Sequence, residues 1–64
     1  MSKTIGFIGA GKMAEGILAA ALRGGTAVSD VIMAERAPAR AAEMSARYGV
    51  EVVGDAQEAV DAVQ

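Results

Sequence analysis

The sequence predicts an α/β chain in βαβαβα order, one half of a doubly wound parallel sheet with strands ordered 3-2-1. Three observations predict it. Short apolar runs at residues 4–8, 31–34 and 50–53 suit buried strands. Each run is followed by a stretch in which apolar residues recur at helical spacing, over 12–23, over 38–48 and from Asp55 onward. Strands that alternate with helices pair in parallel, and right-handed crossovers then lay the second and third strands successively to one side of the first. Residues 1–64 make one small domain. A chain of this length buries only about 60% of the surface its unfolded form exposes, which predicts marginal stability.

In strand one, Ile5, Phe7 and Ile8 favour extended backbone and Gly6 adds no bulk, so the run suits a strand covered on both faces. Helix one follows from Lys12 to Arg23. Met13, Ala14, Ile17, Leu18, Ala21 and Leu22 fall on one face, predicted to be inward, while Lys12, Glu15 and Arg23 face elsewhere. Gly24 and Gly25 supply its left-handed stop. After a turn at 26–30 the second strand ends at Glu35 and Arg36. Pro38 fits the first turn of helix two, where its missing N–H costs nothing. Ala41, Met44 and Tyr48 point inward from that helix and Gly49 closes it. Asp55 and Glu58, three residues apart before Ala59, Val60 and Val63, have the spacing of a capping box that opens helix three.

The stretch IGFIGAGKMAEG, residues 5–16, joins the first strand to the first helix. Gly9, Gly11 and Ala14 occupy the three small positions of a GxGxxG/A fingerprint. The first permits the sharp turn, the second lets backbone approach a pyrophosphate, and the third lets helix and strand pack closely, a task one methyl does not spoil. The free N–H groups of the first helical turn, at Lys12, Met13 and Ala14, together with the positive end of the helix dipole, form an anion site. The Met13 side chain itself is expected in the core. A glycine turn alone is weak evidence, but here a strand precedes it, a helix follows it, and Glu35 stands at the tip of the second strand about 20 residues on. The alternatives are a purely structural turn and a nucleoside-triphosphate loop. Gly6, Gly11 and Lys12 fit the latter's GxxxxGK[ST] spacing, but Met13 lacks the hydroxyl that would hold magnesium.

Glu35 and Arg36 bear on which dinucleotide binds. A carboxylate at the strand tip accepts from the ribose 2′-hydroxyl of NAD, whereas a guanidinium clamps the 2′-phosphate of NADP. Successive side chains point to opposite sides, so only one of the two need face the ribose. Arg40, one helical turn beyond Arg36, can strengthen a phosphate site, and the reading favours NADP with NAD the alternative. Against it stands ordinary surface, with Arg36 and Arg40 paired to Glu35 or Glu43, the better expectation for Arg40. Lys12 and Glu15 likewise suit a surface pair, although Lys12 can also lend charge to the pyrophosphate.

Composition excludes several classes. Cysteine and histidine are both absent, which removes disulfides, thiolate metal sites and the commonest acid/base side chain. A net charge of −2 with six scattered Lys and Arg residues argues against a nucleic-acid partner, as does the low aromatic content. No apolar run approaches the ~20 residues that span a bilayer, so a cytoplasmic protein without a membrane partner is expected.

IGFIGAGKMAEG, then VIMAERAPARAAEM, YGVEVV and DAQEAV, resemble the N-terminal Rossmann domain of the pyrroline-5-carboxylate reductases over nearly the whole chain. The first stretch is close to the family's FIGAGNMAEA signature. The resemblance implies an enzyme that passes hydride from NAD(P)H to a cyclic imine, giving L-proline. It implies that Gly9, Ala10, Gly11, Met13 and Ala14 are pyrophosphate-turn positions and that Glu35 and Arg36 lie at the adenosine ribose. Lys12 stands where the family usually has asparagine. An F420-dependent NADP reductase or a β-hydroxyacid dehydrogenase is the alternative enzyme, and a non-catalytic truncated nucleotide-binding module the alternative of another class. With strand one at an exposed edge, the simplest expectation is a fragment of a longer chain. The nicotinamide half, the imine-binding domain and every catalytic residue then lie outside it, and these 64 residues alone are expected to be inactive. Three short helices around three strands are expected to leave no cleft of a few hundred Å³.

Overall fold

In the computed structural model, which describes residues 3–63, strands and helices alternate. They are β1 (Ile5–Ile8), α1 (Lys12–Arg23), β2 (Val31–Ala34), α2 (Pro38–Tyr48), β3 (Glu51–Val53) and α3 (Ala56–Val63), and a 3-10 turn at Val28–Asp30 leads into β2. Met1, Ser2 and Gln64, which the sequence reading includes in the domain, lie outside the described residues. The three strands form one parallel sheet ordered β1-β2-β3, which is 3-2-1 counted from the other edge. Ala34 of β2 lies opposite both Ile8 and Val53, so the carboxyl ends of all three strands reach the same rim.

The central strand divides the core. Val31 and Met33 of β2 pack with Phe7, Val50, Leu18 of α1 and Met44 of α2, whereas Ile32 and Ala34 pack with Ala59 of α3. Alternating side chains of one buried strand therefore serve opposite layers. Helices α1 and α2 cover one face and α3 the other.

β1 differs from the expectation of a strand covered on both faces: only Phe7 is buried, and Ile8 is 61% exposed. The strand with that environment is β2, buried at every position, because it alone has a neighbour on each side. The same edge explains α1. Leu18 is fully buried and Ala14, Ala21 and Leu22 partly so, but Met13 is 81% and Ile17 56% exposed, contrary to the inward placement expected of both. The apolar face of α1 is wider than the sheet beneath it, and Ile8, Met13 and Ile17 are left uncovered together with the β1 edge. The left-handed residue after α1 is Gly25 (φ 107°), while Gly24 (φ −80°) closes the last turn in an ordinary conformation. At α3 the expected capping box gives way to a simple side-chain cap: Asp55 Oδ1 accepts from the Gln57 N–H at 2.9 Å, one residue short of Glu58. Glu58 meets Asp55 through backbone, its N–H donating to the Asp55 carbonyl at 3.1 Å.

Candidate functional site

The β1–α1 turn lies at the rim where the strands end. The Gly9 N–H donates to Ala34 O at 2.7 Å, extending the β1–β2 ladder by one residue, and the chain then reverses at Gly9 with φ +88°, a conformation that disfavours any side chain. Gly11 is the N-cap of α1 with φ −72° and ψ 174°, ordinary extended values. A Cβ on Gly11 would meet no atom within 4 Å. Neither backbone conformation nor packing therefore calls for glycine at Gly11; the position is simply open. The first helical hydrogen bond runs from the Glu15 N–H to Gly11 O at 2.9 Å, and no side chain caps the helix. The N–H groups of Lys12, Met13 and Ala14 precede that bond and have no intrahelical acceptor. These are the donors expected for an anion, with the helix dipole behind them.

Glu35, at the tip of β2, binds the turn directly. Its Oε1 accepts from the Ala10 N–H at 2.8 Å and its Oε2 from the Ala37 N–H at 2.9 Å. The bond from Ala37, then that from Ala10, holds the Glu35 carboxyl below the usual carboxylate range, so it is ionised at neutral pH. The Ala10 N–H is thereby spent, which removes it from the donors available to a ligand. Arg36 is exposed and, among the described residues, its guanidinium pairs with neither Glu35 nor Glu43. It lines two adjoining open clefts, one of about 510 Å³ shared with Gly54, Asp55 and Ala56, and one of about 200 Å³ shared with Ile8, Gly9, Ala34, Glu35 and Ala56. The expectation of no such cleft is corrected. The chain leaves β2 toward α2 on one face of the sheet and leaves β3 toward α3 on the other, and the space lies at the rim where the two connections part.

One expected contact is replaced and another is extended. Glu15 does not pair with Lys12. Its Oε1 accepts from Arg40 Nη2 at 2.7 Å, and its Oε2 from Arg47 Nη1 and the Tyr48 hydroxyl, each at 2.6 Å. Arg40 forms the expected pair with Glu43 but is partly buried and makes two further contacts. Its Nε donates to Ala10 O at 2.7 Å, its Nη2 to Glu15 and its Nη1 to Glu43 at 2.9 Å, so all three nitrogens are engaged. Helix packing rotates Glu15 of α1 toward α2, which faces the same side of the sheet, while Lys12 at the helix start lies exposed.

Hydrogen bonds from Tyr48, Arg40 and Arg47 lower the Glu15 carboxyl from 4.5 to about 2. Because the folded state binds this proton less readily than the unfolded one, the stability contributed by Glu15 is complete above 4.5 and is lost as pH falls through about 2. Urea midpoints measured across that interval should fall more steeply for the unmodified protein than for Glu15→Gln. Parallel curves would show that another carboxylate governs the acid limb.

Of the residues expected at the site, Gly9, Ala10, Gly11, Lys12, Met13 and Ala14 form the continuous turn, and Glu35 touches it through Ala10. Arg36 lies beside it along the cleft, and Ala14 serves packing, set against the core cluster. What sequence reasoning missed is the contact of Arg40 with the turn: its acceptor at Ala10 is thirty positions away, and no local pattern encodes that bond.

A family model described as "NADP oxidoreductase coenzyme F420-dependent" matches residues 4–64, from the start of β1 through α3. No curated protein and no solved structure gives a match. The matched span contains the glycine turn, the open helix N-terminus and the β2 tip that geometry had brought together. The chain thus belongs to the F420-dependent NADP oxidoreductase family, a family whose description suggests binding of a nicotinamide dinucleotide.

Proposed function

We propose that this chain is the NADP-gripping half of a doubly wound Rossmann domain and belongs to a longer reductase of the pyrroline-5-carboxylate type. The observation that carries the reading is the glycine turn at the strand-end rim, leading into a helix that no side chain caps and whose Lys12, Met13 and Ala14 N–H groups have no intrahelical acceptor. The pyrophosphate lies over Gly9, Gly11 and the Lys12, Met13 and Ala14 amides, the adenosine ribose lies at the β2 tip, and the adenine follows the cleft along Arg36. The engagement of Glu35 favours NADP over NAD. Its carboxylate already accepts two backbone N–H bonds, leaving Arg36 as the exposed charge at the ribose position. Nicotinamide and imine belong to the second half of such a fold.

Titration with NADPH and NADH, followed by nicotinamide fluorescence, tests the reading. Saturable binding with NADPH preferred is expected, and no binding of either would overturn it. Arg36→Ala removes a charge-assisted hydrogen bond worth about 1.5 to 3 kcal/mol, so NADPH affinity should fall about ten-fold or more. NADH affinity should hardly change. Equal losses for both would make Arg36 structural. The description of the matched family favours a second reading, a reductase that exchanges hydride between NADP and coenzyme F420. A full-length enzyme carrying this segment, supplied with NADPH and either pyrroline-5-carboxylate or F420, decides between them by which acceptor consumes NADPH.

A further inference from the structure

The two peptide groups that flank Ala10 are each gripped by a charged side chain from outside the turn. The Gly9–Ala10 peptide gives its N–H to Glu35 at 2.8 Å, and the Ala10–Gly11 peptide receives Arg40 Nε at its carbonyl at 2.7 Å. Both peptides border a glycine, the residue with the most backbone freedom to lose. Arg40 is itself fixed, by Glu15 on α1 and by Glu43 one turn along α2, and Arg47 ties the same two carboxylates together at 2.6 and 2.9 Å. The Arg40 and Glu15 side chains are only 25% and 18% exposed, so water competes weakly for this contact.

We infer that Arg40 is a positioning residue for the pyrophosphate turn, acting through the Ala10 carbonyl. The inference rests on the dinucleotide reading above and assigns Arg40 no contact with the ligand. A trans peptide is planar, with its N–H antiparallel to its C=O. Holding the Ala10 carbonyl toward Arg40 therefore holds the Gly11 N–H pointing away from Arg40. The guanidinium charge on the carbonyl also polarises that peptide and strengthens its N–H as a donor. Glu35 fixes the preceding peptide from the β2 tip. The turn is thus set in its binding shape before any anion arrives, and less freedom is lost on binding. A planar guanidinium suits this task because three of its nitrogens reach three acceptors at once, whereas a lysine ammonium is a point charge on a flexible stem.

The test compares Arg40→Met with Glu43→Gln in the full chain. Glu43→Gln disturbs the same network but leaves the Ala10 carbonyl contact in place. Each protein, labelled with nitrogen-15, is titrated with NADP⁺ below its melting temperature, and the Gly11 amide resonance is recorded before and during the titration. Arg40→Met should displace the Gly11 resonance in the free protein and raise the NADP⁺ Kd about ten-fold. Glu43→Gln should lower the melting temperature slightly and leave both readings unchanged. Should Arg40→Met fail to fold, Arg40→Lys replaces it, with the Gly11 resonance displaced the same way and an intermediate Kd. An unchanged Kd in the folded Arg40 variant overturns the inference alone, as does an equal weakening by Glu43→Gln. Absence of NADP⁺ binding by the unmodified protein overturns the dinucleotide reading and the inference with it.

Discussion

Gly11→Val should abolish measurable dinucleotide binding while leaving the protein folded. The backbone at Gly11, with φ −72° and ψ 174°, is open to valine, and no atom lies within 4 Å of the Cβ that valine would add. The fold loses only the preference of an N-cap for glycine over a β-branched residue, about 1 kcal/mol. In a domain of this size that lowers the melting temperature by roughly 4–8 °C. The ligand loses more. A branched side chain at the second glycine keeps the pyrophosphate from the Lys12, Met13 and Ala14 amides, and charge-assisted bonds of this kind are worth about 1.5 to 3 kcal/mol each. Losing two of them weakens binding at least about a hundred-fold. Nicotinamide fluorescence titration below the melting temperature, with circular dichroism on the same sample, reads both quantities. Native-like binding by a folded Gly11→Val protein would remove the turn from the site.

Leu18→Ala should produce the largest loss of stability. Leu18 is the only fully buried residue of α1, and it packs in the cluster that contains Phe7, Val31, Met33 and Met44. Removing its three outer carbons costs about 2 to 5 kcal/mol, through lost burial and the cavity left behind. A 64-residue domain has only about 3 to 10 kcal/mol of stability in total. The melting temperature should therefore drop by at least about 10 °C, and the variant stands near the limit of folding. Ile17→Ala, one residue away at a position 56% exposed, is expected to cost no more than about 0.5 kcal/mol. Thermal unfolding of the two variants side by side checks which face of α1 is anchored, and equal losses would refute the assignment.

That contrast marks where sequence periodicity stops being informative. Helical spacing puts Met13, Ile17 and Leu18 on one apolar face, and it does so correctly as a statement about the helix. Whether each is covered depends on how many strands lie beneath, and β1 is the edge of the sheet. The same reason makes β2, and not β1, the strand buried throughout. The acidic and basic residues divide similarly. Glu35 and Arg36 were readable as strand-tip residues because strand length and the distance from the glycine turn fix their place. The partners of Glu15 were not, because Arg40, Arg47 and Tyr48 lie 25 to 33 positions away on another helix.

The sequence by itself determined the order of strands and helices, the parallel sheet and the glycine turn at a helix N-terminus. These follow from backbone preferences and apolar periodicity within a few residues. Tertiary structure alone decided that Glu35 grips the Ala10 N–H, that Arg40 grips the Ala10 carbonyl from α2, and that Arg36 is left facing an open cleft. A hydrogen bond between residues 25 or 30 positions apart exists only once packing has brought their elements together. Nothing in the local sequence distinguishes an arginine that will brace a turn from one that will face water.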